Sequence, residues 1–158
     1  MTLVVLSTPA RAQDYTAWTV TTEKSELDGQ TEVYAQAYST NDVINSIGIA
    51  KKAAFFVFCK NSSTTIGFDF QNYMGNDDVR VRYSIDGGKV LSKIAGVSER
   101  GNVIGWWRGT GVGFLKTLLG KKKIVVAAPA YGQNPSEAVF DLQGFDVAMA
   151  QVRKACGW

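Results

Sequence analysis

Residues 53–70, AAFFVFCKNSSTTIGFDF, decide what kind of fold this chain can build. Ala53–Cys59 is apolar at every position, as expected of a central strand covered on both faces. The polar run Lys60–Ser63 then turns the chain. Beyond it Ile66, Phe68 and Phe70 alternate with Thr65, Gly67 and Asp69, the period of two that gives a strand two different faces. The stretch therefore reads as a β-hairpin.

Working outward, VRVRYSID (79–86) sets Val79, Val81, Tyr83 and Ile85 against Arg80, Arg82, Ser84 and Asp86, a strand with one wet face. Further strands are expected at 17–22, 31–39, 102–107, 123–128 and 137–142, punctuated by Asp28-Gly29, Gly87-Gly88 and Asn134-Pro135. Short strands with frequent turns predict a mainly β fold, an antiparallel β-sandwich or a barrel-like sheet. Two segments break the pattern. Phe145, Ala148, Met149, Val152 and Cys156 form one stripe of an amphipathic C-terminal helix, with Asp146 near its start and Arg153 and Lys154 near its end, the order a helix dipole favours. A shorter helix is expected near 111–119, closed by Gly120.

The chain has 158 residues, enough for one domain with its own core and too few for two comfortable ones. Its 17 Lys and Arg against 14 Asp and Glu form no basic stripe of the kind nucleic acid requires. No stretch reaches the roughly 20 apolar residues of a membrane span. The opening LVVLSTPARAQ pairs a brief apolar run with Ala10-Arg11-Ala12, the pattern of a secretory signal cut after Ala12, so residues 1–12 are read as the remnant of a signal peptide and 13–158 as a single β-rich domain. Export gives the two cysteines their meaning. In an oxidising compartment Cys59 and Cys156 favour one intramolecular disulfide, whereas in the cytosol two such thiols are more often inert core residues. Closing so long a loop would remove about 4–5 kcal/mol of denatured-state freedom. The bond would pin the C-terminal helix to the strand holding Cys59, and Trp158 would cover it.

Catalytic signals are weak. The sequence contains no histidine, which removes the commonest general base and every Ser-His or Cys-His arrangement, and with two cysteines it leaves no zinc set. Glu23, Glu26, Asp28, Asp69, Asp77, Asp78, Asp86 and Asp141 are available for carboxylate chemistry, but spacing pairs none of them. The glycines of RGTGVGFLK match no phosphate-cradling pattern, and DVRVRYSIDGG lacks the calcium-loop spacing, which leaves calcium a weak option. The expectation is a non-enzyme with no cofactor, no metal and no catalytic residue. The candidate contact patch comprises Trp106, Trp107, Arg108, Lys121, Lys122, Lys123 and Tyr131. Adjacent tryptophans on a strand point to opposite faces, so one can enter the core while the other meets solvent. The lysine run lies in a turn, where it either grips an anionic surface or simply discourages edge pairing.

The closing stretch FLKTLLGKKKIVVAAPAYGQNPSEAVFDLQGFDVAMAQVRKACGW (114–158), with Trp18, KSELDGQTEV (24–33), Cys59, Thr64-Thr65 and VRYSID (81–86), resembles the VasI/TagO family of accessory proteins of bacterial type VI secretion. That resemblance implies an exported envelope protein without known catalytic residues. It makes Cys59, Cys156 and Trp158 structural, and it places Arg82 and Asp86 in a motif of unassigned role. The resulting expectation is a soluble periplasmic protein that assists assembly of envelope machinery through contacts with other envelope or secretion-system proteins. The alternative is a binding or inhibitor module for peptidoglycan or a cell-wall enzyme.

Overall fold

A computed structural model describes residues 17–132 and 135–158; the expected signal remnant and the Asn134 part of the last turn lie outside them. Nine strands among the described residues form one antiparallel sheet: β1 (Thr19–Lys24), β2 (Thr31–Ile44), β3 (Ala50–Lys60), β4 (Ser63–Asp69), β5 (Val79–Ile85), β6 (Leu91–Val97), β7 (Val103–Trp106), β8 (Lys123–Pro129) and β9 (Pro135–Asp141). Helix α1 (Val112–Leu118) precedes β8 and α2 (Phe145–Cys156) follows β9. The strand order is β1-β2-β3-β4-β7-β6-β5-β8-β9. Of the two expected forms, the two-sheet sandwich does not occur among the described residues, and the sheet bends toward a barrel without closing into one.

The opening hairpin forms as β3 and β4, with Lys60 opposite Ser63. Asn61 and Ser62 between them both take positive φ, 51° and 57°. Two left-handed residues match the right-handed twist of the flanking strands, so this short link does not splay them. The expectation that β3 is covered on both faces is corrected. Ala53, Phe55, Val57 and Cys59 are buried, but Phe56 and Phe58 on the other face are only half-buried and pack against Tyr34 of β2. Neither α1 nor α2 contributes a ring to the contacts of Phe56 and Phe58 among the described residues, and Tyr34 supplies the aromatic cover that face has.

The core lies on the inner face. Phe55 stacks on Phe68 with ring centres 4.4 Å apart, and Trp18 presents an edge to Phe55 and to Phe145 at 5.0 and 5.1 Å. Helix α2 lays Phe145, Ala148, Met149 and Val152 onto this surface, the stripe that its helical period sets on one side. Each fully buried side chain of this size is worth about 1.5–3 kcal/mol. Asp146 does more than complement the dipole: both carboxylate oxygens accept the N–H of Gly120, at 3.0 and 3.1 Å, tying the end of the α1 turn to α2.

Strand β6 is absent from the sequence reading. Leu91 and Ile94 are exposed and Gly96 interrupts the run, so no clean alternation marks it. Its neighbours β5 and β7 recruit it. Gly96, Gly105 and Gly67 face one another across β6, β7 and β4. Gly105 allows the close approach there, because a Cβ would run into the Ile66 carbonyl.

Candidate functional site

The C-terminal clasp is the most fully built polar feature. Cys59 and Cys156 form the expected disulfide, with Cα atoms 5.9 Å apart across 97 positions of sequence. Helix α2 ends at Gly157, whose φ of 74° suits a left-handed cap and whose N–H donates to Arg153 O at 2.7 Å. That turn folds Trp158 back against β4, beside the strand that holds Cys59. Its indole Nε1 donates to Oγ1 of buried Thr64 at 3.0 Å, and Thr64 is the β4 partner of Cys59. Arg153 closes the clasp from outside. Its Nε donates to the main-chain oxygen of Trp158 at 3.0 Å while its guanidinium stands 5.4 Å from the indole centre.

The seven candidate contact residues do not converge on one surface. Trp106 is core: it is 5% exposed, its Nε1 donates to Ile94 O at 2.8 Å, and its ring lies 4.8 Å from that of Phe114. Trp107 points the other way and is half-buried, its indole lying over Gly96, where a Cβ would meet Nε1 at 2.9 Å. Arg108 is exposed in the turn that follows, at a positive φ of 54°. Lys121, Lys122 and Lys123 are exposed at the start of β8, whereas Tyr131 follows its far end, 72% exposed and edge-on to Tyr73 at 5.8 Å. A strand the length of β8 separates Lys123 from Tyr131 by about 20 Å.

The geometry gives Asp86 a role that spacing could not. Its carboxylate accepts the main-chain N–H groups of both Lys122 and Lys123 at 2.9 Å. Those two bonds, aided by the charges of Lys121 and Lys122, hold its carboxyl below the usual aspartate range. The lysine turn is thus anchored by Asp86 from β5 and by Asp146 from α2. Arg82 lies on the outer sheet face, in register with Ala127 and so with Glu137. Asp28 behaves like Asp86 on a smaller scale: the Gln30 N–H and the Ser25 hydroxyl lower its pKa. Burial pushes the Tyr34 hydroxyl the other way, upward.

A seam between β2 and β9 escaped the sequence reading. At the bulge in β2, between Tyr38 and Asp42, the buried Ser39 hydroxyl accepts the Ala53 N–H at 2.9 Å and donates to Asn41 O at 2.7 Å. This turns Thr40 and Asn41 out toward β9. Asn41 Oδ1 accepts the Val139 N–H at 2.8 Å, Asn41 Nδ2 donates to Glu137 O at 2.9 Å, and Thr40 Oγ1 donates to Val139 O. Lower down, Trp18 Nε1 donates to Asp141 O at 3.1 Å and Ala17 N to Gln143 O. Side chains therefore satisfy much of an edge that no strand covers among the described residues. The one available signal was the Ser-Thr-Asn run at 39–41 inside an otherwise alternating strand.

Among the described residues, no group of three or more Cys, Asp or Glu side chains could hold a metal ion, and no helix is long and apolar enough to cross a membrane. No curated protein matches the chain. The crystal structure of invasion associated protein B from Bartonella henselae is similar in fold, with a TM-score of 0.58 over 92% of this chain and 98% of that one, at 14% sequence identity. The model of the family described as "Type VI secretion system VasI, EvfG, VC_A0118" matches residues 3–158. Agreement over nearly the whole length, including the segments that build the clasp and the lysine turn, means that the chain belongs to the VasI family of type VI secretion proteins.

Proposed function

We propose that this protein is a periplasmic, non-enzymatic accessory factor of a type VI secretion machine that assists its assembly through protein contacts. The Cys59–Cys156 bond carries the reading, because a structural disulfide of this kind persists in an oxidising compartment and is rare in a reducing one. Family membership supplies the machine. The side chains with displaced pKa values, Asp28, Asp86 and Tyr34, are explained by turns and packing, which supports a scaffold.

Fractionating cells after trapping thiols, together with export assays in a deletion strain, tests the proposal. The chain is expected in the osmotic-shock fraction with both cysteines oxidised. Deletion should reduce export of a type VI substrate, and a copy carrying Glu23→Gln and Asp69→Asn should restore it in full. Recovery of a reduced cytoplasmic chain would remove the compartment, and unchanged export would remove the machine. Failure of the double carboxylate variant to complement would reopen catalysis.

A further inference from the structure

The β2–β9 seam closes only part of the way. Thr40, Asn41 and Trp18 seal it along Glu137–Asp141, but toward the other end β2 and β9 part to leave a groove of about 970 Å³. One wall is Asp42–Asn45 of β2 and the loop after it; the other is the end of β8 and Pro135–Glu137 of β9. Along Asp42–Ile44 the inner side of β2 pairs with Lys52–Ala50 of β3. Among the described residues no strand pairs with the opposite side, since β1 pairs with β2 only as far as Gln36. Asn41 Nδ2 reaches Asp42 O at 3.4 Å; the other main-chain groups of Asp42–Ile44 that are not turned to β3 border the groove, the arrangement to which an added strand binds.

Charge narrows the occupant. Although the chain as a whole carries a net charge of +3, the groove is lined among the described residues by two carboxylates, Asp42 and Glu137, and by no Lys or Arg. Lys52 lies 3.0 Å from Asp42 on the solvent side, and Glu137, with Arg82 two strands away in the same register, forms no ion pair within salt-bridge distance among the described residues. We infer that this groove receives an extended segment of a partner protein, pairing as a strand with Asp42–Ile44 and setting cationic side chains against Asp42 and Glu137. Small apolar residues at the alternate positions face Val43 and Ala130, both buried at its floor. The inference rests on the reading that the protein works by protein contact, and it names where and with what chemistry.

Synthetic peptides provide the test: an alternating Lys-Val segment, its Glu-Val counterpart, and the Lys-Val segment with alternate main-chain amides methylated. Amide shifts in the oxidised chain are followed by NMR. The Lys-Val peptide should bind saturably, moving Asp42–Ile44 and Ser136–Glu137. Methylation should weaken it about tenfold or more, the effect of losing one or two hydrogen bonds. Asp42→Asn with Glu137→Gln should weaken it several-fold without disturbing the fold, and the Glu-Val peptide should not compete. Equal binding by the methylated peptide, shifts centred elsewhere or absence of saturation would overturn the assignment. So would sedimentation of the chain alone as a dimer that protects these same amides, since the occupant would then be a second copy. The peptides involve no secretion component. Their failure would remove the groove and leave the accessory role standing, while unchanged export in the deletion strain would do the reverse.

Discussion

Asp86 is exposed, yet it holds the start of β8 in place. At a positive φ of 51° it turns the chain out of β5 and aims its carboxylate at two main-chain N–H groups some 36 and 37 residues away. Those bonds lower its pKa from the ordinary 3.8 in the folded state. A carboxylate with a depressed folded pKa stabilises the fold above its unfolded value, and that contribution disappears as the pH falls through the lowered one. Asp86→Ala should therefore unfold at a lower temperature at neutral pH and lose less further stability on acidification below 3.8 than the parent does. Thermal melts across pH 2–7 would show it, and parallel curves for the two proteins would mean that the turn holds without the carboxylate. In sequence, Asp86 is recognisable as part of VRYSID and no more, because its partners come from a distant strand. The two tryptophans show the same limit. Period-two geometry requires Trp106 and Trp107 to face opposite ways, but only the packing of Phe114 and Ile94 decides that Trp106 is the one inside.

Helix α2 was fully legible, since its stripe repeats with the helical period and its end is marked by Gly157. Its attachment is doubly determined, by burial of Phe145, Met149 and Val152 and by the bond from Cys156 to β3. These act differently: burial stabilises the folded state directly, whereas the bond mainly restricts the unfolded chain. Replacing both cysteines by serine should lower the unfolding free energy by about 2–5 kcal/mol, while the helical circular dichroism survives in the absence of denaturant. Denaturant titrations of parent and variant would check this. Loss of the helical signal without denaturant would show that the apolar stripe alone does not hold α2. Strand β6 marks the opposite limit of legibility. Exposed Leu91 and Ile94 and an interior glycine leave no local signal, and pairing on both sides makes the strand.

At the scale of the whole molecule, the two ends of the sheet meet, among the described residues, through side chains and the Ala17 N–H to Gln143 O bond rather than through a strand ladder. The Asn41 amide, with its oxygen as acceptor and its NH2 as donor, replaces two ladder bonds on the edge of β9. Asn41→Ala should cost about 0.5–1.5 kcal/mol, the net worth of the bonds to the part-buried Val139 N–H and the exposed Glu137 carbonyl. Hydrogen exchange at Val139 should quicken far more than at Ile124 in the core, and equal acceleration at both would point to global loosening rather than an opened seam. The sequence by itself determined most of the elements, the alternating faces of β4 and β5, the buried stripe of α2 and the one possible pair of cysteines, because periodicity, turn residues and a count of thiols are local or compositional properties. Strand order, the burial of Trp106, the anchoring of the lysine turn and the unsealed end of the β2–β9 seam were decided only by the tertiary structure. A strand's alternation states which side is wet but carries no label for its neighbour, and that choice follows from the packing and hydrogen bonding of the whole chain at once.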